Sequence, residues 1–585
     1  MYRCLLVAFP LLVIALLTSP GTFADPLRIT HLQRCGNLLD NEHLHYCLHV
    51  RGLQQAIPRL LLDGQQLSTR DVERTEQGLR LRLGARLQSG PLWLEQGEQA
   101  SNPVWLSTGA SHVIAASEDE VATNQDGLTT WVNLISVIIE EQHEGAKEAQ
   151  RLAEKYDADV VGAIPPLNTY QLRLPARNLE QRDAVVLRIG NEVGVDAVVI
   201  EESSAQEASE QDTRDDPQDA GEEWAANRLL DALAYYQRRL GAKDSDITLQ
   251  PMRIGVIERD VDFDTPDFAD YLGDCRSNTQ RTCVYARDAD GPAGHGTTVT
   301  GILAASPDDG GNSGFLRALD GAGPEFDVIV DRGSDGGIIA NIAASVNLVE
   351  DGARIINWSW GLHRIGTRNI EGDPIDSLVR SGIAMSGYEE LLEEFFLWLR
   401  EAHPDVVVVN SAGNGASRSG RDEYRLPSSF ITEQLLVVGG HQRSEQKAEV
   451  DDPDYATRRK TSNVDMRVDI TAAACAQGST REPDHEGKMH CGTSYATPLV
   501  SGVLAAMLSI NPQLQPEQLR MLLRRSAMTI GREQDFEAPD GEDLTAPILP
   551  SERDNQLNDP DVGHSARLDM YRALDLAVES RNRVR

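Results

Sequence analysis

The sequence has little positive charge: 55 Lys and Arg residues stand against 91 Asp and Glu residues in 585, and the formal net charge is −36. A surface of that sign repels phosphate groups, which argues against nucleic acid as a partner. Neither a Cys-x-x-Cys nor a His-Glu-x-x-His spacing occurs, so no zinc site is expected. Beyond the amino-terminal segment we find no apolar run of membrane-spanning length, and no stable membrane span is predicted.

The amino-terminal segment itself has the pattern of a signal peptide. Arg3 provides a positive start, residues 5–17 are apolar, and Thr22-Phe23-Ala24 ends in small residues that suit cleavage. We therefore predict a signal peptide over residues 1–24 and a secreted protein, either extracellular or periplasmic. The alternative is an amino-terminal membrane anchor, but the apolar run is short for a span.

Cysteine is also scarce, with seven residues in all. Cys4 would leave with the signal peptide, and the other six form three couples that are close in sequence. These couples are Cys35 with Cys47, Cys275 with Cys283, and Cys475 with Cys491. Six cysteines allow 15 connectivities, so proximity alone suggests this pairing. An oxidising compartment is consistent with three disulfides.

The most informative segment is Cys-Gly-Thr-Ser-Tyr-Ala-Thr-Pro-Leu-Val-Ser-Gly over residues 491–502. Ser494 stands at the start of an apolar stretch that predicts a helix over residues 496–508, where backbone N–H groups can stabilise a developing oxyanion. No glycine follows Ser494 two places on, so this is not the Gly-x-Ser-x-Gly elbow of α/β-hydrolases. Taken alone, the segment also fits a core helix with an incidental serine.

Two further segments favour a catalytic serine over an incidental one. His295 opens a run of small residues, His-Gly-Thr-Thr-Val-Thr-Gly, and Asn414 lies in Asn-Ser-Ala-Gly-Asn-Gly after the apolar run 405–409, which has the pattern of a strand buried on both faces. Together with the Ser494 segment, they resemble the motifs of subtilisin-like (subtilase, S8-type) serine peptidases. The resemblance covers roughly residues 252–578. It implies that Ser494 is the nucleophile, His295 the general base and Asn414 an oxyanion-hole donor.

The acid of the triad departs from the family pattern. A predicted strand over residues 253–257 is followed by Glu258, where subtilases usually carry aspartate, and Asp260 stands in place of a glycine. We predict that Glu258 orients His295, with Asp260 or Asp262 as alternatives. Glutamate is one methylene longer than aspartate, and an error of about 1 Å can cost on the order of 100-fold in rate. The altered acid therefore leaves a disabled pseudopeptidase open.

The same resemblance implies a substrate channel. The segment after the predicted strand 354–356 would pair its backbone with an extended peptide, whereas Trp358 is expected in the core. The predicted substrate-binding residues are Ser359, Trp360, Gly361, Ser411, Ala412 and Gly413.

No organic cofactor is implied, but Ca²⁺ is possible in view of the many carboxylates. Asp267 falls in Thr-Pro-Asp-Phe, which matches a position that can ligate calcium in the family. No metal site can be assigned from the sequence.

Beyond the signal peptide we expect four regions. Period-two alternation predicts a small β-sandwich over residues 25–110 that resembles IPT/TIG modules. A β-α-β-β-α-β pattern over residues 130–202 predicts a ferredoxin-like α+β domain that resembles subtilase propeptides. Residues 203–223 are acidic and predict a linker where processing occurs. Strands that alternate with helices over residues 224–585 predict an α/β, subtilisin-like three-layer αβα catalytic domain with a parallel sheet.

The sequence thus predicts a secreted serine endopeptidase, made as a zymogen, that hydrolyses peptide bonds in proteins or peptides through an acyl-enzyme. Its own propeptide would be an intramolecular inhibitor. The alternative is a secreted pseudopeptidase that binds peptides or proteins without cleaving them.

Overall fold

The computed structural model describes residues 26–36, 43–84, 87–125, 127–203, 212–214, 220–240, 245, 247–258, 261–262, 265–268, 275, 282–285, 294–306, 314–320, 325–331, 337–363, 382–417, 425–444, 448–463, 467–478, 489–530 and 565–581. The predicted signal peptide, Asp260 and most of the predicted linker lie outside these ranges. The described residues form three units in chain order.

The first unit consists of short antiparallel strands whose side chains alternate in burial. In the strand over residues 78–84, Leu79, Leu81 and Leu83 are buried and the arginines between them are exposed, because successive side chains point to opposite faces. The strands are β1 (Arg28–Arg34), β2 (His43–Arg51), β3 (Arg59–Leu62), β4 (Gln65–Gln66), β5 (Val72–Arg74), β6 (Gly78–Gly84), β7 (Gly90–Gln96), β8 (Gln99–Ala100) and β9 (Val104–Leu106). They form two sheets, in the orders β1-β2-β6-β5 and β4-β3-β7-β8 with β9 beside β7, and the two sheets enclose one apolar core.

The second unit is a four-stranded antiparallel sheet with two helices. Its elements are β10 (Val121–Thr123), β11 (Thr129–Trp131), β12 (Leu134–Ile139), α1 (Gly145–Tyr156), β13 (Asp159–Ile164), β14 (Thr169–Arg173), α2 (Leu179–Ile189), β15 (Val195–Val199) and β16 (Glu202–Ser203). From β12 to β15 the order is β-α-β-β-α-β, and the strands lie side by side as β13-β14-β12-β15. β12 is buried along its whole length.

The third unit contains the remaining elements. They are β17 (Asp212–Arg214), α3 (Ala220–Ala225), α4 (Leu229–Tyr235), β18 (Met252–Ile257), β19 (Cys283–Tyr285), α5 (Gly294–Ala304), β20 (Phe326–Asp331), α6 (Gly337–Glu350), β21 (Ile355–Trp358), β22 (Leu362–His363), α7 (Gly382–Ala402), β23 (Val407–Ser411), β24 (Arg425–Leu426), β25 (Leu435–Arg443), β26 (Ala456–Arg458), β27 (Ile470–Ala473), β28 (Cys475–Gln477), β29 (Met489–Cys491), α8 (Thr493–Ile510), α9 (Pro516–Ser526), β30 (Met528–Thr529), β31 (Ser565–Arg567) and α10 (Met570–Arg581).

A large parallel sheet organises this unit. Its strands lie in the order β19-β20-β18-β21-β23-β25-β27-β31-β30, and the pairs from β19 to β31 are parallel. The chain runs from β18 to β20 on one side and then returns to β21 on the other. In such sheets the crevice outside the carboxyl ends, where the winding reverses, is the usual place for a binding site. The parallel sheet confirms the predicted α/β class of the catalytic unit.

Helix α8 lies in the centre of the third unit. It packs against β18, β21, β23, β25 and β27, and every one of its residues except Ser494 is buried. It has a mean hydropathy of 1.4 over 18 residues, and 94% of it is buried. By length and composition alone it is apolar enough to cross a membrane, the one such helix among the described residues. An apolar run of that length therefore does follow the amino terminus, contrary to the sequence analysis, but it is a buried core helix and not a stable membrane span, as predicted.

The end of the chain differs from the sequence prediction. The sequence pattern predicts one helix over residues 566–577, but residues 565–567 form the strand β31 and helix α10 begins only at Met570. Arg567 is fully buried and pairs with Thr471 of β27, so the strand extends the parallel sheet before the helix starts.

The cysteine pairing was predicted correctly. The structure contains the disulfides Cys35–Cys47, Cys275–Cys283 and Cys475–Cys491. The third joins β28 to β29, the strand that leads into α8, and so fixes the chain just before Ser494.

Polar contacts join the first unit to the third. Trp105 donates its indole N–H to Asp351 Oδ2 at 2.9 Å, and Ser89 donates its hydroxyl to Asp351 Oδ1. The guanidinium of Arg253 lies over the Trp105 ring, 5.1 Å from its centroid. Burial raises the pKa of the Asp351 carboxyl, and the hydrogen bonds from Ser89 and Trp105 oppose that rise.

The second unit packs against the third mainly along helices α6 and α7. Strand β15 lies along helix α7. Beside it, the Glu201 carboxylate accepts the backbone N–H groups of Ile338 and Ile339 at 3.3 and 2.9 Å. These N–H groups are in the first turn of α6, where a negative charge also complements the helix dipole. Glu201 therefore acts as an amino-terminal cap supplied from another unit.

Candidate active site

An acid and a histidine meet at the carboxyl end of β18. Glu258 is the first residue after this strand, and His295 is the second residue of α5. Glu258 Oε2 lies 2.9 Å from His295 Nδ1, with side-chain exposures of 6% for the glutamate and 30% for the histidine. A carboxylate at Nδ1 keeps the proton on that nitrogen and leaves Nε2 as an acceptor for a hydroxyl proton.

The position of the Glu258 backbone at the end of β18 determines how far its carboxylate extends. The backbone N–H of Glu258 still donates to the carbonyl of Asp331, at 3.1 Å, so the longer side chain starts from within the sheet ladder. Of the two alternatives, Asp262 is fully buried and its backbone N–H donates to Thr297 Oγ1 at 2.8 Å. Asp260 lies outside the described residues. The acid seen at His295 is therefore Glu258.

Tyr495 packs against this pair, with its ring centroid 5.5 Å from that of His295. Burial raises the pKa of the Tyr495 phenol, and the negative charge of Glu258 raises it further. Within the described part of the chain, Glu258 Oε1 and Tyr495 Oη are both buried without a hydrogen-bond partner. Because the phenol stays protonated, it adds no second negative charge beside the Glu258–His295 pair.

Ser494 is in the first turn of α8, where the chain turns sharply out of β29. Its Oγ donates to the carbonyl oxygen of Ser359 at 3.2 Å, and Ser359 Oγ donates in return to the carbonyl of Ser494 at 2.9 Å. Just before it, the N–H of Gly492 donates to the carbonyl of Ala474 at 2.8 Å. Ser494 is the one partly exposed residue of a buried helix, which suits a nucleophile that must meet a substrate.

Asn414 lies beside the same turn, in the loop after β23. Its Oδ1 accepts the N–H of Thr493 at 2.9 Å, and this contact fixes the plane of the amide. Its Nδ2 lies 3.3 Å from the position that a Cβ on Gly492 would occupy. The amide donor and the first N–H groups of α8 therefore border one small region next to Ser494, as an oxyanion hole requires.

The predicted substrate-binding residues line two walls beyond the ends of β21 and β23. On the first wall, Ser359 is buried and its carbonyl faces Ser494, and Trp360 is partly buried. The second wall, Ser411, Ala412 and Gly413, is held from behind: Asn463 Nδ2 donates to the Ala412 carbonyl at 2.8 Å, and the Gly413 N–H donates to Thr493 Oγ1 at 3.0 Å. The Ala412 carbonyl and the Gly413 N–H are therefore bonded within the protein.

Two side chains at these walls had no signal in the sequence. Arg425 is 5% exposed, and the strand β24 in which it lies pairs with β22. His363 of β22 is its neighbour. Burial and then the charge of Arg425 lower the pKa of His363 to about 3. Because β22 and β24 are only two residues long, no motif or periodicity identifies them.

The described residues bring no metal cluster to the predicted calcium ligand. Asp267 is buried, and its Oδ2 lies 3.9 Å from the position of a Cβ on Gly301 in α5. Among the described side chains, one acidic trio places its oxygens within 4.8 Å of one another, Asp196, Glu390 and Glu394. It lies between β15 and α7 and does not include Asp267.

The sequence is similar to those of known serine proteases. The model of the subtilase family (Peptidase_S8) matches residues 251–562. A probable subtilase-type serine protease of Deinococcus radiodurans is 24% identical over 470 residues, which are 74% of this chain and 57% of the relative. Serine protease AprX of Bacillus subtilis is 27% identical over 252 residues, which are 40% of this chain and 52% of the relative. The chain thus spans little more than half the length of these relatives.

Solved structures are similar to this chain at a lower sequence identity. The crystal structure of fervidolysin from Fervidobacterium pennivorans, a keratinolytic enzyme related to subtilisin, has a TM-score of 0.49 and 16% sequence identity. It covers 81% of this chain and 64% of its own.

Proposed function

Because the chain belongs to the subtilase family, we propose that it is a serine endopeptidase that hydrolyses peptide bonds in proteins through an acyl-enzyme. Ser494 is the nucleophile, His295 the general base and acid, and Glu258 the orienting acid. Asn414 and the Ser494 N–H are the oxyanion donors. The contact between Glu258 and His295 carries this proposal, since a glutamate can replace the usual aspartate only if it reaches Nδ1.

The reaction follows from these positions. His295 Nε2 accepts the Ser494 proton as Oγ bonds to the substrate carbonyl carbon, and Glu258 stabilises the imidazolium that forms. The carbonyl oxygen gains negative charge and turns toward the Asn414 amide and the Ser494 N–H. His295 then donates the proton to the leaving amine, the C–N bond breaks, and the acyl-enzyme remains. Water enters by the same steps in reverse and releases the acid product.

The pseudopeptidase alternative rests on the altered acid motif alone. A chain that binds peptides without cleaving them has no use for a buried carboxylate 2.9 Å from His295 Nδ1. The distance therefore favours the catalytic proposal.

We also infer that the enzyme is made as a zymogen, with residues 130–202 as its inhibitory domain. Two observations support this. The unit is docked on α7 and caps α6 through Glu201, and the chain that follows it passes the active site, because β17 pairs antiparallel with β29, Thr213 opposite His490. A cut in the acidic segment 203–223 would free the inhibitory unit from the catalytic unit.

Secretion is the setting that suits these features. Three disulfides form in an oxidising compartment and are rare in a reducing one. The predicted signal peptide is consistent with it. We therefore infer an extracellular or periplasmic enzyme, with proteins or peptides as substrates.

The test is labelling of the serine by a fluorophosphonate probe. Wild type is compared with Ser494→Ala, Glu258→Ala and Asp262→Ala, each first incubated with a trace of wild type so that variants that cannot process themselves are cut in trans. We expect no labelling of Ser494→Ala, labelling slowed by about 10³-fold or more in Glu258→Ala, and near-normal labelling in Asp262→Ala.

Two outcomes would contradict the proposal. A processed wild type that is not labelled and cleaves no casein would favour the pseudopeptidase. Slow labelling of Asp262→Ala with normal labelling of Glu258→Ala would move the acid role to Asp262. The zymogen is tested on the same samples by intact mass, since Ser494→Ala without added wild type should keep residues 130–202 attached.

A further inference from the structure

The two walls beyond β21 and β23 define a crevice beside the nucleophile. The strands are adjacent and parallel, with Trp358 opposite Asn410, and their extensions run on as Trp360-Gly361 and Ala412-Gly413. Ser494 Oγ lies at the mouth of this crevice, 3.2 Å from the carbonyl oxygen of Ser359. A peptide that pairs with the backbone of these walls as an added strand, and whose scissile carbonyl reaches Ser494, would place the side chain of that residue, the P1 residue, at this crevice.

Arg425 spans this crevice from wall to wall. A Cβ added to Gly413 would lie 2.8 Å from Arg425 Cδ and 2.9 Å from Nε. A Cβ added to Gly361 would lie 2.2 Å from Cζ and 2.4 Å from Nη2. The aliphatic stem thus touches one glycine and the guanidinium touches the other. At Gly361 the guanidinium alone leaves no room for a side chain, whereas Gly413 is also required by its φ of +100° and by Asn463 Nδ2, 2.6 Å from the same Cβ position.

The arginine is anchored to both walls. Its Nη1 donates to the Ser411 carbonyl and, at 2.9 Å, to Ser428 Oγ. Ser428 Oγ in turn donates to Asn410 Oδ1 at 2.6 Å, and Asn410 Nδ2 donates to the Trp360 carbonyl at 2.8 Å. Hydrogen bonds from a buried charged group are strong, so this side chain is a fixed part of the crevice.

Serine oxygens hold three of its five N–H protons. Both Nη1 protons go to the Ser411 carbonyl and Ser428 Oγ, and Nη2 donates to Ser411 Oγ at 3.3 Å. A carboxylate that drew the guanidinium toward it would disturb these bonds, whereas a basic side chain would meet the positive charge directly. A large apolar side chain finds its volume already occupied.

We propose that Arg425 closes the P1 crevice and restricts the enzyme to substrates with a small P1 residue, namely glycine, alanine or serine. This inference rests on the proposed function, since it assigns the specificity of the same site. Arg425 is a specificity-determining residue and takes no part in bond making.

The first experiment uses fluorogenic peptides that differ only at P1, with alanine, phenylalanine or glutamate. Wild type should cleave the alanine peptide at least 100-fold faster, by kcat/KM, than the phenylalanine peptide. Arg425→Ala opens the crevice and should raise kcat/KM for phenylalanine by 10-fold or more, because even one methylene in such a pocket changes rates by about 10- to 200-fold. The alanine peptide should change by less than 3-fold.

Arg425→Met is the matched control, since methionine fills most of the volume without the charge. If volume decides, Arg425→Met should still reject phenylalanine. If charge decides, it should behave like Arg425→Ala. Should Arg425→Ala fail to fold, binding of peptide aldehydes with glycine, alanine or phenylalanine at P1 to wild type alone still tests the proposal, with inhibition expected to fall at least 100-fold from alanine to phenylalanine.

Two results would overturn the inference. Preference of wild type for glutamate over alanine would make Arg425 a binder of acidic P1 residues, and an unchanged phenylalanine-to-alanine ratio in Arg425→Ala would place it outside the crevice. Either result leaves fluorophosphonate labelling of Ser494 intact. Failure of the proposed function is distinct, because labelling itself would then be missing.

Discussion

At the scale of single residues, the length of one side chain decides how the acid works. Glu258 begins in the ladder between β18 and β20 and extends to 2.9 Å from His295 Nδ1. Its other oxygen has no hydrogen-bond partner among the described residues, so the contact with His295 is its main fixed interaction. Shortening this side chain should therefore be costly although the charge remains.

We predict that Glu258→Asp lowers kcat/KM by about 10- to 100-fold, because the carboxylate is drawn back by roughly 1 Å. Glu258→Gln should lower it further, by about 10⁴-fold, since it removes the charge that stabilises the imidazolium. Steady-state kinetics on one peptide measures both, with Asp262→Asn as the control. Full activity of Glu258→Asp would mean that the backbone adjusts and that the length of this side chain does not limit the rate.

Asn414 has two hydrogen-bonding groups with separate tasks. Its Oδ1 accepts the Thr493 N–H at 2.9 Å, whereas its Nδ2 borders the proposed oxyanion position. We predict that Asn414→Ala and Asn414→Asp both lose about 100- to 1,000-fold in kcat, with little change in KM.

Asn414→Asp is informative because it keeps an acceptor for the Thr493 N–H and removes the donor. If Asn414→Asp kept wild-type kcat while Asn414→Ala did not, the side chain would act only as a cap of α8. A thermal melt of each variant separates loss of folding from loss of turnover.

At the scale of elements, the contact between α7 and β15 carries like charges. Glu390 and Glu394 of α7 lie with Asp196 of β15, their oxygens within 4.8 Å of one another. Burial, together with Asp196, Glu393 and Glu394, raises the pKa of Glu390 to about 7, and burial with Glu141, Asp196, Glu393 and Glu401 raises the pKa of Glu394. The docked unit therefore binds protons more tightly than the separated one.

Docking of the second unit on α7 should weaken as the pH rises. A carboxyl whose pKa is raised by docking favours the docked state while it is protonated, and this contribution is lost as the pH rises through the docked pKa. We predict that the second unit is held more firmly at pH 5 than at pH 8. Hydrogen exchange of the amides in α7 and β15 measures this contact in full-length Ser494→Ala. The pH at which half of the protection is lost should fall between these two values.

The control variants locate the effect. Glu390→Gln should flatten the pH dependence, while Glu180→Gln, at an exposed site on α2, should leave it unchanged. A pH dependence that survives Glu390→Gln and Glu394→Gln together would assign it to other groups.

At the scale of the whole molecule, the first unit is attached to the third through a buried carboxylate. Asp351 is 7% exposed and accepts hydrogen bonds from Trp105 and Ser89 across the boundary. We predict that Trp105→Phe lowers the free energy of unfolding by about 1–3 kcal/mol, because it leaves a buried acceptor without its donor. Trp93→Phe, within the first unit, is the control for loss of an indole elsewhere.

Chemical denaturation of Ser494→Ala chains measures this difference. If Trp105→Phe and Trp93→Phe cost the same, the boundary contact contributes nothing specific. Adding Asp351→Ala to Trp105→Phe should cost less than the sum of the single changes, since the two residues are hydrogen-bond partners.

How far the sequence could predict this molecule depended on how local each signal is. Glu258, His295 and Ser494 lie in segments whose neighbours form a recognisable pattern, and the strand β23 is a continuous apolar run. In β2, Leu44, Tyr46 and Leu48 are buried in alternation with partly exposed residues such as His45, which is the period-two pattern on which the β-sandwich prediction rests. Arg425 was missed because its role depends on Gly361 and Gly413, which are distant in the sequence and are brought together by the fold.

The composition of α8 also matters before the protein is folded. A chain that crosses a lipid bilayer unfolded presents these 18 residues to the hydrocarbon with a mean hydropathy of 1.4, close to the length and apolar composition of a membrane span. The hydroxyls of Thr497 and Ser509 bond to carbonyls of the helix itself, whereas the Ser501 hydroxyl depends on the finished fold, in which it donates to Asn357 Oδ1 at 2.9 Å. Among the described helices, the one that presents Ser494 is thus also the one apolar enough to stay in a bilayer. In the secreted enzyme that we propose, passage of this helix through a translocation channel is a step at which synthesis can fail.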